Sequence, residues 1–326
     1  MAEIRAARFG QKVAGGPAPA FRRGAVLLAA ILSLTGLASC VTTSQSAFGG
    51  AGLPLTARMA GLLPADAFLY GSIRVDREHS LVDQAFRESK FANAADAATK
   101  RTSSLVYAVA DSAGHALSYS VVASGEYPLG AISLQLSPSA GWKRTNGSPT
   151  TWTNQKNGWR LAFPSRKLAL LSNVDLAPML GRYTRPSPPI NYPAVIHSME
   201  SADLVAYAPR VGAWIESAGG DPNRFPAESI FVSVNSVGKS YSASAVLVMK
   251  DAQAARLFSV IFRLLISADA SGGPGGLPVS FAGASVEVQG SRIDLANLTI
   301  DRPKLAAVLG EVLSGRVPLL STGAGA

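Results

Sequence analysis

"LVYAVADSAGHALSYSVVA", Leu105 to Ala123, alternates small and apolar residues and breaks once, at Ala113-Gly114. It reads as a β-hairpin, with Leu105 to Ala110 as one strand and Leu117 to Ala123 as the other. The stretch has a later counterpart. "DSAGHALSYS" aligns with "NSVGKSYSAS", matching Ser112, Gly114, Ser118 and Ser120 to Ser236, Gly238, Ser242 and Ser244. Upstream, "PADAFLYG" aligns with "SADLVAYA", pairing Ala65, Asp66 and Tyr70 with Ala202, Asp203 and Tyr207. Downstream, "NGWRLAF" aligns with "QGSRIDL", setting Gly158 and Arg160 opposite Gly290 and Arg292. Self-similarity in fixed order is the mark of a repeated unit. The expected fold is therefore α+β, a tandem duplication of a largely antiparallel β-sheet unit with a few helices.

Periodicity fills in each unit. In the first, Phe68 to Val75 suits a strand, Leu81, Val82, Ala85 and Phe86 recur at helical spacing, and Pro128 opens a short helix. Strands follow at Thr150 to Thr153, Trp159 to Phe163 and Leu168 to Leu171, and Asp175 is placed to cap a brief helix. In the second, a strand at Leu204 to Ala208 precedes a short helix around Trp214, a hairpin from Ile230 to Val248 and a long helix from Asp251 to Ser267. Strands at Ala284 to Val288 and Arg292 to Leu295 and a helix around Lys304 to Leu313 complete it. The expected units span 63–182 and 200–316, joined by a proline-rich linker at 183–199 that contains "RPSPPINYP" and followed by a disordered tail at 317–326. "SGGPGGLP", Ser271 to Pro278, reads as a loop.

The amino terminus carries an address. Arg22 and Arg23 precede fourteen uncharged residues, Gly24 to Leu37, then Ala38, Ser39 and the single cysteine, Cys40. A basic start, a short apolar core and small residues before the cut form a secretory signal, and the core is shorter than the roughly 20 residues needed to span a bilayer. Leu37, Ala38, Ser39 and Cys40 resemble the lipobox of bacterial lipoproteins at every position, although the basic region, Met1 to Arg23, is long for that pattern. The resemblance implies a signal peptide at 1–39, lipid on the Cys40 thiol, cleavage after Ser39 and a lipidated tether at 40–62. It also implies the membrane as a partner through that anchor. Under the enterobacterial sorting rule, Val41 rather than aspartate after the cysteine implies the outer membrane.

Charge excludes some classes of function. The leader holds five of the 30 Lys+Arg and one of the 21 Asp+Glu, so the chain after it carries 25 minus 20, or +5. That balance, with no basic run interleaved with aromatics, gives no expectation of nucleic acid. "VGKS", Val237 to Ser240, resembles the end of a phosphate-binding loop, but Ser233 replaces the first glycine and the stretch falls in a hairpin, so it reads as a turn. His79, His115 and His197 are scattered, and no Gly-x-Ser-x-Gly elbow occurs, so neither a metal, a cofactor nor a catalytic set is expected. Asp66 and Asp203 hold matching places before strands and read as turn or cap residues.

Two stretches remain as binding surfaces. Trp142, Trp152 and Trp159, with Arg160, form a candidate surface if Trp152 and Trp159 stand across a strand pair and stay exposed. "ARLFSVIFRLLIS", Ala255 to Ser267, puts Arg256, Ser259 and Arg263 on one narrow stripe of an otherwise apolar helix, a pattern normal for a buried helix. Its sharper reading is a groove wall for an acyl chain or a segment that dips into the membrane. The sequence thus leads to a lipid-anchored envelope protein acting by binding, as a scaffold that docks an envelope protein through the tryptophans. The alternative is a carrier or sensor of an apolar ligand, held in a cleft between the repeats or between the sheet and the Asp251 to Ser267 helix. An envelope enzyme stands third.

Overall fold

The structure, a computed structural model, describes residues 54–88, 100–112, 116–136, 138, 141–185, 193–217, 221–270 and 279–313. Its first part runs α1 (Leu55–Ala60), β1 (Leu69–Ile73), α2 (His79–Glu88), β2 (Thr102–Ser112), β3 (Ala116–Gly125), α3 (Leu129–Gln135), β4 (Trp142–Thr145), β5 (Thr151–Asn154), β6 (Arg160–Ser165), β7 (Leu168–Ser172) and α4 (Ala177–Thr184). Its second part runs α5 (Pro193–Ser201), β8 (Leu204–Ala208), α6 (Val211–Ser217), β9 (Ala227–Val237), β10 (Ser240–Met249), α7 (Ala252–Ala270), β11 (Val279–Ser280), β12 (Ser285–Gln289), β13 (Arg292–Asp301) and α8 (Arg302–Leu313). The class is α+β.

All thirteen strands join one open sheet in the order β11-β13-β10-β9-β8-β1-β2-β3-β7-β6-β5-β4, with β12 also on β13. Every pairing is antiparallel. The long hairpins β2–β3 and β9–β10 supply its longest ladders because their strands run ten or eleven residues each. Serines inside these ladders pair with one another: Ser104 with Ser124 at 2.8 Å, and Ser233 with Ser244 at 2.7 Å. That pairing satisfies hydroxyls that burial would otherwise leave costly.

Alternation sends apolar side chains to both faces. One face packs with α2, α3, α6, α7 and α8 through Leu81, Ile132, Ile215, Ala255 and Leu305. The other packs with α1, α4 and α5 through Met59, Met179, Val195 and Met199. Beyond β9 no helix among the described residues covers this second face, and Ser242, Ser244, Val246 and Val248 of β10 are half-buried there. A polar solvent face of this kind is common in antiparallel sheet.

Several expectations need correction. The tether at 40–62 ends earlier, because Leu55–Ala60 is helical and Met59, Ala60, Leu62 and Leu63 are buried in the core. The linker at 183–199 is partly a packed helix: α4 runs to Thr184, and Pro193 begins α5, whose Val195 and Met199 are fully buried. Proline suits the first turn of a helix, so Pro193 starts structure where the proline run had suggested extension. Asp175 does not cap α4. Its Oδ1 accepts from Arg160 at 2.6 Å, and Leu176 takes the cap position without a side-chain bond. The alternation pattern also missed β4, whose outward residues are charged and polar. Residues 271–278 and 317–326, the expected loop and tail, lie outside the described residues.

Candidate interaction surface

Cys40 lies outside the described residues. The tryptophans do not form an exposed face: Trp142, Trp152 and Trp159 are 3%, 5% and 3% exposed. Trp152 meets Phe163 edge-on with ring centres 5.8 Å apart, and Trp159 stacks on Tyr119 at 6.2 Å. Nor do Trp152 and Trp159 oppose each other, since Trp152 pairs with Leu161 while the Trp159 carbonyl accepts from the Asn154 amide. The turn is tighter than the six-residue loop 153–158 that would set the two rings across from each other, since β5 runs on to Asn154, and the large rings on this sheet face lie in the core. Arg160 is partly exposed but held by Asp175. A tryptophan docking surface is therefore excluded.

Of the two matched aspartates, Asp203 takes a structural role. Asp203 is buried, accepts the Ser236 amide at 2.8 Å and lies 3.5 Å from the Arg77 guanidinium. "VGKS" forms the turn of the β9–β10 hairpin, with Gly238 at φ +63°. His79 begins α2 and His197 lies within α5, while His115 is outside the described residues.

The exposed feature is α7. Asp251 starts the helix by accepting the Ala254 amide at 2.7 Å. Inward, Ala255 and Ser259 are buried, and Phe258 packs edge-on against Phe225 at 5.2 Å. Phe262 joins the same core. These residues fill the space over β10, β12 and β13 where a ligand groove was considered. Outward, Leu257, Val260, Ile261 and Leu264 are 61%, 51%, 41% and 64% exposed. Their spacing of three and four places them on one stripe. Arg256 and Arg263 are exposed too, and at 100° per residue both fall on the same flank of that stripe.

The core reading of this helix is thus reversed. Ser259 turns inward because its hydroxyl bonds to the Arg256 carbonyl at 2.7 Å, which leaves no unsatisfied donor. The leucines turn outward because the two phenylalanines suffice to cover the sheet. An all-apolar helix does not itself say which side faces the core; the positions of the aromatics were the available signal.

The far end of α7 is latched. Asp269 accepts from the Ser280 hydroxyl at 2.8 Å and from the Phe281 and Ala282 amides at 2.6 and 2.9 Å. The Ser280 bond, then the Phe281 amide, holds its carboxyl below the ordinary range. A carboxyl depressed in the folded chain stabilises it above the unfolded value of about 3.9, and that contribution is lost as pH falls through the lower folded value. Hydrogen exchange at Phe281 and Ala282 is accordingly expected to lose protection in that acid window, and Asp269→Asn to show the loss already at neutral pH. Equal protection in the variant would rule the latch out.

Among the described residues no helix is long and apolar enough to cross a membrane. The junction of the two parts is filled: β1 pairs with β8 from Tyr70↔Tyr207 to Ile73↔Leu204, and helices pack over both sides of it. Strand pairing therefore occupies the place where a cleft between the repeats was expected.

No protein-family model matches the chain, and no curated protein matches it either. Similar folds occur among solved structures. Crystal form III of TP0453 superposes with a TM-score of 0.60 at 18% identity, over 77% of this chain and 97% of that one. Crystal form I gives 0.60 at 17%, over 78% and 98%, and crystal form IV gives 0.58 at 17%, over 77% and 96%. At such identity the likeness concerns the fold alone.

Proposed function

We propose that this chain is a lipid-anchored bacterial envelope protein that acts by binding, and that the outward stripe of α7 is its binding face, resting on the bilayer to which Cys40 is attached. The observation that carries the reading is the row Leu257, Val260, Ile261 and Leu264, left largely in water at helical spacing. An apolar stripe with a cationic flank is the composition of a helix that lies in the interface plane rather than across it. Arg256 and Arg263 lie where their guanidinium groups can reach anionic headgroups, each such contact contributing about 1 kcal/mol near the surface. The lipobox residues Leu37 to Cys40 support the anchor, and Val41 supports an outer-membrane address.

The duplicated unit belongs to the same reading. From the junction outward the sheet runs β1-β2-β3-β7-β6 on one side and β8-β9-β10-β13-β12 on the other, with a helix ahead of β1 and of β8. The first two sequence matches fall on equivalent strands, and Tyr70 and Tyr207, matched in sequence, are partners in the central ladder. The third match does not: Arg160 lies on β6, one strand farther out than the place Arg292 takes on β13. Gly158 and Gly290 still agree in a left-handed turn, at φ +76° and +62°.

Two measurements test the proposal. The amino-terminal peptide of the chain taken from a bacterial membrane should begin at Cys40 and carry the mass of its acyl chains. An unmodified Cys40 peptide would remove the anchor. Nitroxide labels placed singly at 257, 260, 261 and 264 should become accessible to oxygen and shielded from a polar relaxant on vesicles, while a label at Glu287 should not. Equal shielding at all five would remove the binding face.

A further inference from the structure

The end of the sheet opposite the strands under α7 holds a second feature. A cavity of ≈ 720 Å³ opens between α3, the β4–β5 hairpin, the end of β6 and α4. That volume falls within the range of small-molecule sites. Its walls are mixed in a particular way. Trp152, Phe163 and Tyr183 bring rings to it and Leu129 and Leu180 aliphatic surface, while Arg144 is the one charged residue among the described residues that line it. Among the described residues no carboxylate lines it.

Arg144 sits opposite Trp152 in the β4–β5 ladder, so guanidinium and indole share one face of the sheet. The arginine is exposed and forms no ion pair with any described residue. Trp152 keeps its indole N–H buried with no hydrogen-bond partner among the described residues. A buried donor without an acceptor costs about 1–3 kcal/mol. Gly130 of α3 lines the cavity, and a side chain added there would meet nothing within 4 Å.

We propose that this cavity binds a small organic anion with an aromatic or compact apolar body, its carboxylate, sulfonate or phosphate on Arg144 and its body against Trp152, Phe163 and Tyr183. Guanidinium provides planar paired donors for such groups, and ring faces take the body. The site shares no residue with the α7 stripe and stands whether or not that stripe meets a membrane.

The test uses the full chain in phosphatidylcholine nanodiscs and two probes that differ by one sulfonate group. These are 8-anilinonaphthalene-1-sulfonate and N-phenyl-1-naphthylamine, which is the same skeleton without the sulfonate group, each followed by energy transfer from tryptophan after subtraction of empty discs. Saturable binding of the sulfonate is expected, weakened about tenfold by Arg144→Gln, with the uncharged probe altered less than twofold. Gly130→Trp should remove saturable binding of both probes, and Leu257→Glu with Leu264→Glu should leave both unchanged. Sulfonate binding that ignores Arg144→Gln, or that disappears with the α7 substitutions, would overturn the assignment, as would the absence of saturation. Arg144 lies on an exposed edge strand, so its variant stays informative even if Gly130→Trp does not fold.

Discussion

Replacing Leu257 and Leu264 together by glutamate is expected to weaken binding of the anchor-free chain, Val41 to Ala326, to phosphatidylglycerol vesicles by about 100-fold or more. Both side chains are more than half exposed, so the fold loses little when they change. Full burial of a leucine contributes roughly 1.5–3 kcal/mol, and the portion still in water here is what an interface would gain. Each glutamate also places a negative charge at an anionic surface, which opposes binding by about 1 kcal/mol. Together these terms exceed the roughly 2.8 kcal/mol that corresponds to a factor of 100. Vesicle flotation reads the effect directly, and Arg256→Gln with Arg263→Gln should produce a smaller loss that disappears on phosphatidylcholine. Unchanged flotation of the double glutamate variant would show that the stripe meets something other than lipid.

Some of this was legible before the structure, and the reasons differ by element. The hairpins were readable because alternation over a long strand admits one register, and shifting it would turn Tyr241 and Leu247 out of the core. The helix α5 was hidden because Pro193 follows a proline run, and only the apolar pair Val195 and Met199, four residues apart, marks it. Trp142, Trp152 and Trp159 misled because a tryptophan pattern is the same whether the rings stack on a partner or on Tyr119 and Phe163. What decides between them is long-range: Tyr119 reaches Trp159 only because β3 and β6 both flank β7. The stripe on α7 was ambiguous for a related reason. Its apolar residues cover more of the circumference than one sheet can bury, so the excess had to face outward, and nothing local says which part is the excess.

Tyr241→Phe is expected to destabilise the protein by about 2–3 kcal/mol, and Tyr241→Ala by about 3–5 kcal/mol, read from urea midpoints. Tyr241 on β10 is fully buried, and its hydroxyl donates to the carboxylate of Glu78, which precedes α2 in the other part of the chain. Arg302 lies over its ring at 5.7 Å and donates to the Ser80 hydroxyl at 2.6 Å, so α2 and α8 are clasped around it. Burial, then the Glu78 hydrogen bond, raises the Tyr241 hydroxyl well above its usual range, which keeps the proton available for donation. Burial likewise pushes Tyr70, Tyr119 and Tyr127 up to about 12. Unfolded tyrosine ionises near 10 while these folded ones keep their protons, so the unfolded chain binds fewer protons and stability falls as pH rises through that interval. Removing the hydroxyl leaves the Glu78 carboxylate, 2% exposed, without this donor, and removing the ring adds a cavity. Glu78→Gln with Tyr241→Phe should therefore cost less than the sum of the single changes, by about 1 kcal/mol or more. Because the sheet runs unbroken through β1 and β8, the loss should appear as one cooperative transition rather than as the release of one half. A Tyr241→Phe midpoint indistinguishable from that of the parent chain would mean that the clasp contributes nothing and that the central ladder alone joins the two parts.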